Sequence, residues 1–337
     1  MPKRIVVCSD GTWNTPDRPS PTNVVKMARA VLPTASDGTA QEVFYDWGVG
    51  TERGLDRILG GAFGEGLLKN VEDGYRYIVH NYEPGDHVFL FGFSRGAYTA
   101  RSIAGLVRKC GLLDKRHADL ISDAIALYKN PQHPDDDRPK NFRKEHSREI
   151  GVYFIGVWDT VGALGIPLRW FDSFTRSRYQ FHDVELSGIV QNAYQALAID
   201  EKRYPFRPSV WAPINKPGQT VEQVWFAGSH SDVGGGYGET GLSDVALRWM
   251  ADKAVTCGLE LDQSFLNDIS HPDPLGPLHD SSAGLFRLMR PYIRPIDNSG
   301  QNESLSPSAL ERFNSAAMAY EPANLKRFVG KLKGGAS

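Results

Sequence analysis

"HVFLFGFSRGAYTARSIAGLV", residues 87–107, decides the fold. Residues 87–91 read as a strand apolar on both faces, as a parallel strand between two helix layers tends to be. Gly92-Phe93-Ser94-Arg95-Gly96 follows, and a helix runs from Ala97 to about Lys109. A G-x-S-x-G between a buried strand and a helix is the sequence form of a nucleophile elbow. The turn is so tight that its flanking positions must lack side chains. The serine at its apex is held in a strained conformation, with its hydroxyl presented at the C-terminal edge of the sheet. The following helix points the positive end of its dipole at the site. The plainer reading is a glycine-rich turn with no chemistry.

Outward from this stretch, strands alternate with helices. Residues 4–9 (RIVVCS), 42–47 (EVFYDW), 150–157 (IGVYFIGV) and 221–227 (VEQVWFA) read as further strands. Helices are expected from Asn23 to about Leu32, through "LLKNVEDGYRYIVHNY", over 186–199 and over 242–257. Residues 131–148 read as loop or partly helical, and 258–337 as short helices and loops. The alternation predicts an α/β fold: an α/β-hydrolase-like, mostly parallel sheet with helices on both faces. With no internal repeat and no low-complexity linker, a single domain over 1–337 is expected, with a lid-like insertion at 163–185 and the extension 258–337 packed on it.

A serine hydroxyl needs a general base, and the base needs an orienting acid. In this fold they follow the serine in the order acid, then histidine, each at a strand end. IGVYFIGV ends in Trp158-Asp159-Thr160. VEQVWFA ends in Gly228-Ser229-His230-Ser231-Asp232 before a triple-glycine turn. Ser94, Asp159 and His230 are therefore the expected catalytic residues. Asp232 is the rival acid or a loop-fixing group. His182 and His279 are fallback bases.

"VVCSDGTWNT", residues 6–15, resembles the opening of haloacid-dehalogenase-type phosphatases, Asp-x-Asp-Gly-Thr. Cys8 stands where their nucleophilic aspartate would be. Counting back from the elbow makes RIVVCS the third strand of a hydrolase sheet. The loop after that strand donates one oxyanion-hole amide, and the residue after the serine donates the other. Backbone N–H groups of Arg95 and of Gly11 or Thr12 are thus the expected oxyanion donors. Asp10 is expected to hold the loop by accepting hydrogen bonds from the backbone, Thr12 or Asn14.

Lys and Arg number 38 against 40 Asp and Glu, and the pI is near 6.5. This balance gives no footprint for nucleic acid. Basic runs such as Arg143-Lys144 read as solvated surface. The three cysteines form no CxxC pair, so neither a disulfide framework nor a zinc ribbon is indicated. The N-terminus lacks a signal-peptide layout, and no apolar stretch approaches a membrane span. A cytoplasmic protein is expected, with export that reads no N-terminal signal left open. Gly48-Val49-Gly50…Gly54 imitates a dinucleotide fingerprint but has Arg53 where glycine is needed, so no cofactor is expected. Asp10, Asp159, His230 and Asp232 could collect a metal, yet no ligand spacing demands one, and none is expected.

Together "SDGTWN", "GFSRGAYTAR", "GVWDTVG", "ALAIDEKRYPF" and "VWFAGSHSDVGGGY" resemble the type VI secretion phospholipase effectors, specifically their Tle1-like catalytic domain, formerly a domain of unknown function. "LHDSSAG" and "YEPANL" extend the likeness, which covers about residues 3–330. The resemblance implies a Ser-Asp-His triad that falls on Ser94, Asp159 and His230, and for some members hydrolysis of phospholipid acyl esters. Effector members carry a large membrane-anchoring module, for which these 337 residues leave no room.

The expectation is a cofactor-independent serine hydrolase of acyl esters acting on a small-molecule or lipid substrate. Two alternatives stand beside it: a non-catalytic α/β binding scaffold, and a metal-dependent phosphoesterase built on Asp10. Trp170, Phe171 and Phe174, in "ALGIPLRWFDSFTRSRYQF", are expected to bind the acyl chain. Arg169 before them and Arg176 and Arg178 after them suit transient contact with a membrane surface. In the "AIDEKRYPFRP" stretch, Asp200, Glu201 and Arg203 read as an ion-pair network rather than a substrate contact.

Overall fold

Strand β1 (Arg4–Ser9) sends Ile5 and Val7 into one helix layer and Val6 and Cys8 into the other. This period of two, apolar on both faces, is what a central parallel strand needs. The computed structural model describes residues 2–11, 19–48, 62–161, 186–212, 216–282, 290–296 and 302–334. Thr12, His182 and the expected lid with Trp170, Phe171 and Phe174 lie outside them.

The other sheet strands are β2 (Gln41–Asp46), β3 (His87–Phe93), β4 (Val152–Trp158), β5 (Val190–Ala198), β6 (Thr220–Phe226) and β7 (Glu303–Leu305). They form one seven-stranded sheet in the order β2-β1-β3-β4-β5-β6-β7, and every pairing is parallel. The described α-helices are α1 (Asn23–Ala30), α2 (Ala62–Asn81), α3 (Arg95–Cys110), α4 (Ile121–Lys129), α5 (Asp137–His146), α6 (His230–Gly234), α7 (Gly241–Thr256), α8 (Gln263–Ile269), α9 (Pro307–Asn314) and α10 (Ala323–Gly334). One face is covered by α2, α3 and α4 through Tyr75, Ile78, Ile103, Leu106 and Ala124. The opposite face is covered by α1, α7 and α8 through Val24, Met27, Leu247, Met250 and Leu266.

Three differences from the sequence reading matter. Residues 186–199, expected as a helix, contain strand β5. Its alanine and glutamine content favours a helix, but a place between β4 and β6 overrides local propensity. Its fully buried Gln195 is satisfied by Thr160 Oγ1 at 2.9 Å and the Ser209 carbonyl at 3.0 Å. The stretch 258–337 adds β7 to the sheet edge and packs Leu325 and Phe328 against Leu197 and Trp225. Arg143, read as solvated, is buried and donates to the Lys109 and Pro134 carbonyls and to Glu149. Among the described residues, no helix is long and apolar enough to cross a membrane.

Candidate active site

The elbow has the geometry its glycines require. Ser94 sits at φ 59°, ψ −120°, a region a non-glycine residue enters only when its surroundings force it. A Cβ on Gly92 would lie 2.3 Å from the Gly96 carbonyl oxygen, so the turn closes on itself. A Cβ on Gly96 would lie 2.0 Å from the Ser9 carbonyl oxygen and 2.6 Å from that of Asp10. The second glycine therefore lets the loop after β1 lie directly against the elbow.

Adjacent strands bring the acid to the serine. Phe93 and Trp158 are register partners at the ends of β3 and β4, and the Ser94 amide donates to the Trp158 carbonyl at 3.1 Å. Asp159 comes next, at φ 41° and fully buried. The missed strand holds it: the Asp159 amide donates to the Ala196 carbonyl at 2.7 Å, and the Ala198 amide donates to Asp159 Oδ1 at 3.0 Å.

His230 opens α6, whose cap is built from Ser229 and Asp232. Its Nδ1 lies 2.6 Å from Asp159 Oδ2. The imidazole packs on Phe93, the residue before Ser94, with ring centroids 4.6 Å apart, and meets Phe206 edge-on at 5.0 Å. Burial pushes the Asp159 carboxyl up, but the Arg294 guanidinium and then the His230 bond outweigh it and hold the group well below the usual carboxylate range. An ionised Asp159 accepts a proton-bearing Nδ1, which leaves Nε2 as the basic nitrogen.

Asp232, the rival acid, is engaged elsewhere. Its Oδ2 accepts the Ser229 amide and hydroxyl at 2.9 Å each, and its Oδ1 lies 2.6 Å from Nδ1 of His279. The fallback base His279 is thus tied to Asp232 and stacks on Tyr237 at 3.9 Å. Asp10 is a loop brace: one partner is the expected backbone amide, two more come from Thr22 and Tyr45, and Thr12 and Asn14 lie outside the described residues. Its carboxylate accepts from the Gly11 amide at 2.6 Å, the Thr22 hydroxyl at 2.6 Å and the Tyr45 hydroxyl at 2.8 Å. The Gly11 N–H, expected as an oxyanion donor, is hydrogen-bonded to Asp10 Oδ1 in this structure. Arg95 begins α3, so its amide belongs to the first turn, where helix N–H groups lack intrahelical acceptors.

Two groups around the dyad escaped sequence reading. Arg294 is fully buried and grips Asp159 with both arms, Nη1 to Oδ1 at 2.5 Å and Nη2 to Oδ2 at 2.9 Å. Phe206 stacks beneath Arg203 at 3.6 Å, and Arg203 pairs with buried Glu201 through Nε and Nη2 at 2.8 Å each. Glu201 also receives the His230 amide at 3.3 Å and the Ser281 hydroxyl at 2.8 Å. The Glu201–Arg203 pair is the ion-pair network expected. Asp200 stands apart from it, accepting from the Gly228 amide and Tyr320 hydroxyl at 2.7 Å each. Among the described residues, no cluster of three or more His, Cys, Asp or Glu side chains is arranged to hold a metal ion.

Residues 3–253 match the family model described as T6SS, phospholipase effector Tle1-like, catalytic domain. The chain belongs to this family. Among its relatives is the uncharacterized protein YEL023C of Saccharomyces cerevisiae, 28% identical over 238 residues, which cover 63% of this chain and 33% of that protein. An uncharacterized protein from Pseudomonas aeruginosa is similar in structure, with a TM-score of 0.48, 18% identity, and coverage of 77% of this chain and 46% of that one. The Tle1 effector bound to the VgrG spike of the type VI secretion system gives a TM-score of 0.44 and 21% identity, over 71% of this chain and 52% of that one. The chain thus spans a third to a half of the length of these proteins. In this Tle1-like domain Ser94, Asp159 and His230 all fall within the family match. Arg294 falls outside it.

Proposed function

We propose that this Tle1-like domain is a cofactor-independent serine hydrolase of carboxylic esters, lipase- or phospholipase-like. The observation that carries the reading is the buried Asp159–His230 contact of 2.6 Å, with the imidazole packed on Phe93, the residue before the strained elbow serine. Ser94 Oγ attacks the ester carbonyl while His230 Nε2 takes its proton. The new Oγ–C bond makes a tetrahedral oxyanion, held by the Arg95 amide and by a donor from the loop after β1, for which Thr12 is the candidate. Collapse expels the alcohol, which receives the proton from His230. Water then attacks the acyl carbon while giving a proton to His230, and as the Oγ–C bond breaks the acid leaves and Ser94 Oγ takes the proton back from His230. Asp159 keeps the imidazole in the productive tautomer throughout. The apolar segment with Trp170, Phe171 and Phe174 follows Asp159 in sequence and supplies the acyl-binding wall. The family description supports a lipid ester as substrate.

A fluorophosphonate probe tests this directly. The serine reading expects stoichiometric labelling that peptide mapping assigns to Ser94 and that Ser94→Ala abolishes. A protein that hydrolyses p-nitrophenyl esters unlabelled, or that labels at another serine, refutes it.

A further inference from the structure

We propose that Arg294 is a positioning residue of this site: its guanidinium fork fixes the Asp159 carboxylate, and its charge sets how readily His230 holds a proton. The catalytic meaning rests on the serine-hydrolase reading. The effect on His230 does not.

A buried arginine could merely fasten a C-terminal segment, and part of this one does. Nη1 donates to the Ala198 carbonyl at 2.9 Å, and Nη2 donates to the Phe206 carbonyl at 2.5 Å. The main chain around it is anchored as well. The Tyr292 amide donates to the Lys202 carbonyl at 2.8 Å, and the Asn324 side chain donates to the Arg294 carbonyl at 3.2 Å. What exceeds fastening is the choice of partner. Both arms fall on the one carboxylate that also holds His230, and Oδ2 is shared between Nη2 and Nδ1. A bidentate fork fixes the carboxylate plane as a single hydrogen bond does not.

Each carboxylate near His230 is engaged by a partner. Glu201, under the His230 amide, is matched by Arg203. Asp232, on the same short helix, is bonded to His279. Asp159 is matched by Arg294, both fully buried. The rings of Phe93 and Phe206 that complete the surround are uncharged. Arg294 is therefore the cation that offsets the Asp159 charge at the imidazole. Removing it leaves the Asp159–His230 pair with one less positive neighbour, so the pair binds a proton more tightly. Because the base must be neutral to accept the Ser94 proton, Arg294 extends its working range toward lower pH.

The experiment compares wild type, Arg294→Met and Arg294→Lys. The His230 ring is titrated by NMR, and kcat/KM is followed against pH on p-nitrophenyl butyrate. Arg294→Met should raise the His230 midpoint and the acidic limb of kcat/KM together, by roughly one to two pH units. Arg294→Lys keeps the charge but loses the fork. Its His230 midpoint should stay near wild type while kcat falls about tenfold or more with little change in KM. A wild-type midpoint in folded Arg294→Met overturns the electrostatic role. Should Arg294→Met fail to fold, wild-type kcat in Arg294→Lys overturns the positioning role. If fluorophosphonate does not label Ser94 in wild type, the hydrolase reading falls, and the NMR titration still decides what Arg294 does to His230.

Discussion

Replacing Asp159 by Asn separates the acid's two duties. The carboxylate accepts four hydrogen bonds, from the Ala198 amide, from both arms of Arg294 and from His230 Nδ1. An amide can present one acceptor oxygen, and Arg294 with Ala198 competes for it. The NH2 group then faces His230, which must turn a lone pair toward it and carry its proton on Nε2. That is the wrong tautomer for a base at Ser94, and the loss in kcat should be about 10³–10⁴. Stability should fall too, because the buried Arg294 charge loses its counter-charge. Breaking a buried pair costs about 3–5 kcal/mol, or roughly 6–10 °C in a chain this large. Asp232→Asn is the control. It weakens the α6 cap and the His279 tether but leaves the His230 tautomer intact, so kcat should fall less than about tenfold. Ester hydrolysis by both variants is measured at 15 °C, where each remains folded, beside a melting curve. If Asp232→Asn is the more damaging in kcat, the orienting acid has been misassigned. A folded Asp159→Asn with near wild-type kcat would refute the triad.

Ser94→Ala should lower ester hydrolysis by about 10⁵–10⁶ with an unchanged melting curve; more than a tenth of wild-type activity would rule out the nucleophile. Trp170→Ala combined with Phe174→Ala should reduce kcat/KM on a decanoate ester by about tenfold or more and on a butyrate ester little, since one buried aromatic is worth roughly 1.5–3 kcal/mol; equal losses on both would deny acyl binding. At the end of β2, burial and then the charge of Asp73 push the Asp46 carboxyl up to about 7. A carboxyl raised on folding contributes fully to stability below its unfolded pKa of about 3.9 and loses that contribution as pH rises through 7. Asp46→Asn should therefore melt near wild type at pH 4 and be more stable at pH 8, by about 1–2 kcal/mol after allowance for solvent screening. A constant difference from pH 4 to 8 would contradict the shift.

What the sequence made legible follows a physical line. The elbow, β1 to β4 and β6 were readable because local signals agree there: apolar runs, turn glycines and helical periodicity point the same way. Ser94, Asp159 and His230 were readable because each stands at the end of such a run. β5 was not, because Ala193, Gln195, Ala196 and Ala198 carry helical propensity and become a strand only when β4 and β6 supply ladders on both sides. Which backbone amide Asp10 would engage was not legible, because the sequence cannot say that its side chain turns back onto Gly11. Arg294 had no signal at all: one arginine in a polar stretch, 135 residues from its partner.

The misses at β5 and at Arg294 meet in one place. The carbonyl of Ala198, at the end of β5, accepts from Arg294, while its amide donates to Asp159. The strand that local propensity hid is the platform on which the arginine that local pattern could not mark meets the acid. Asp159 itself is fixed from three directions: β4 carries it, β5 holds its backbone and one oxygen, and the C-terminal segment closes both oxygens. Such over-determination is what a positive φ in a buried, charged residue requires, since backbone strain and desolvation both work to release it. The strain at Ser94 is met in the same way, by Gly96 against the β1 loop and by the Trp158 carbonyl under its amide. Both strained residues therefore lean on the β3–β4 register, so a perturbation of Trp158 should reach the serine and the acid together.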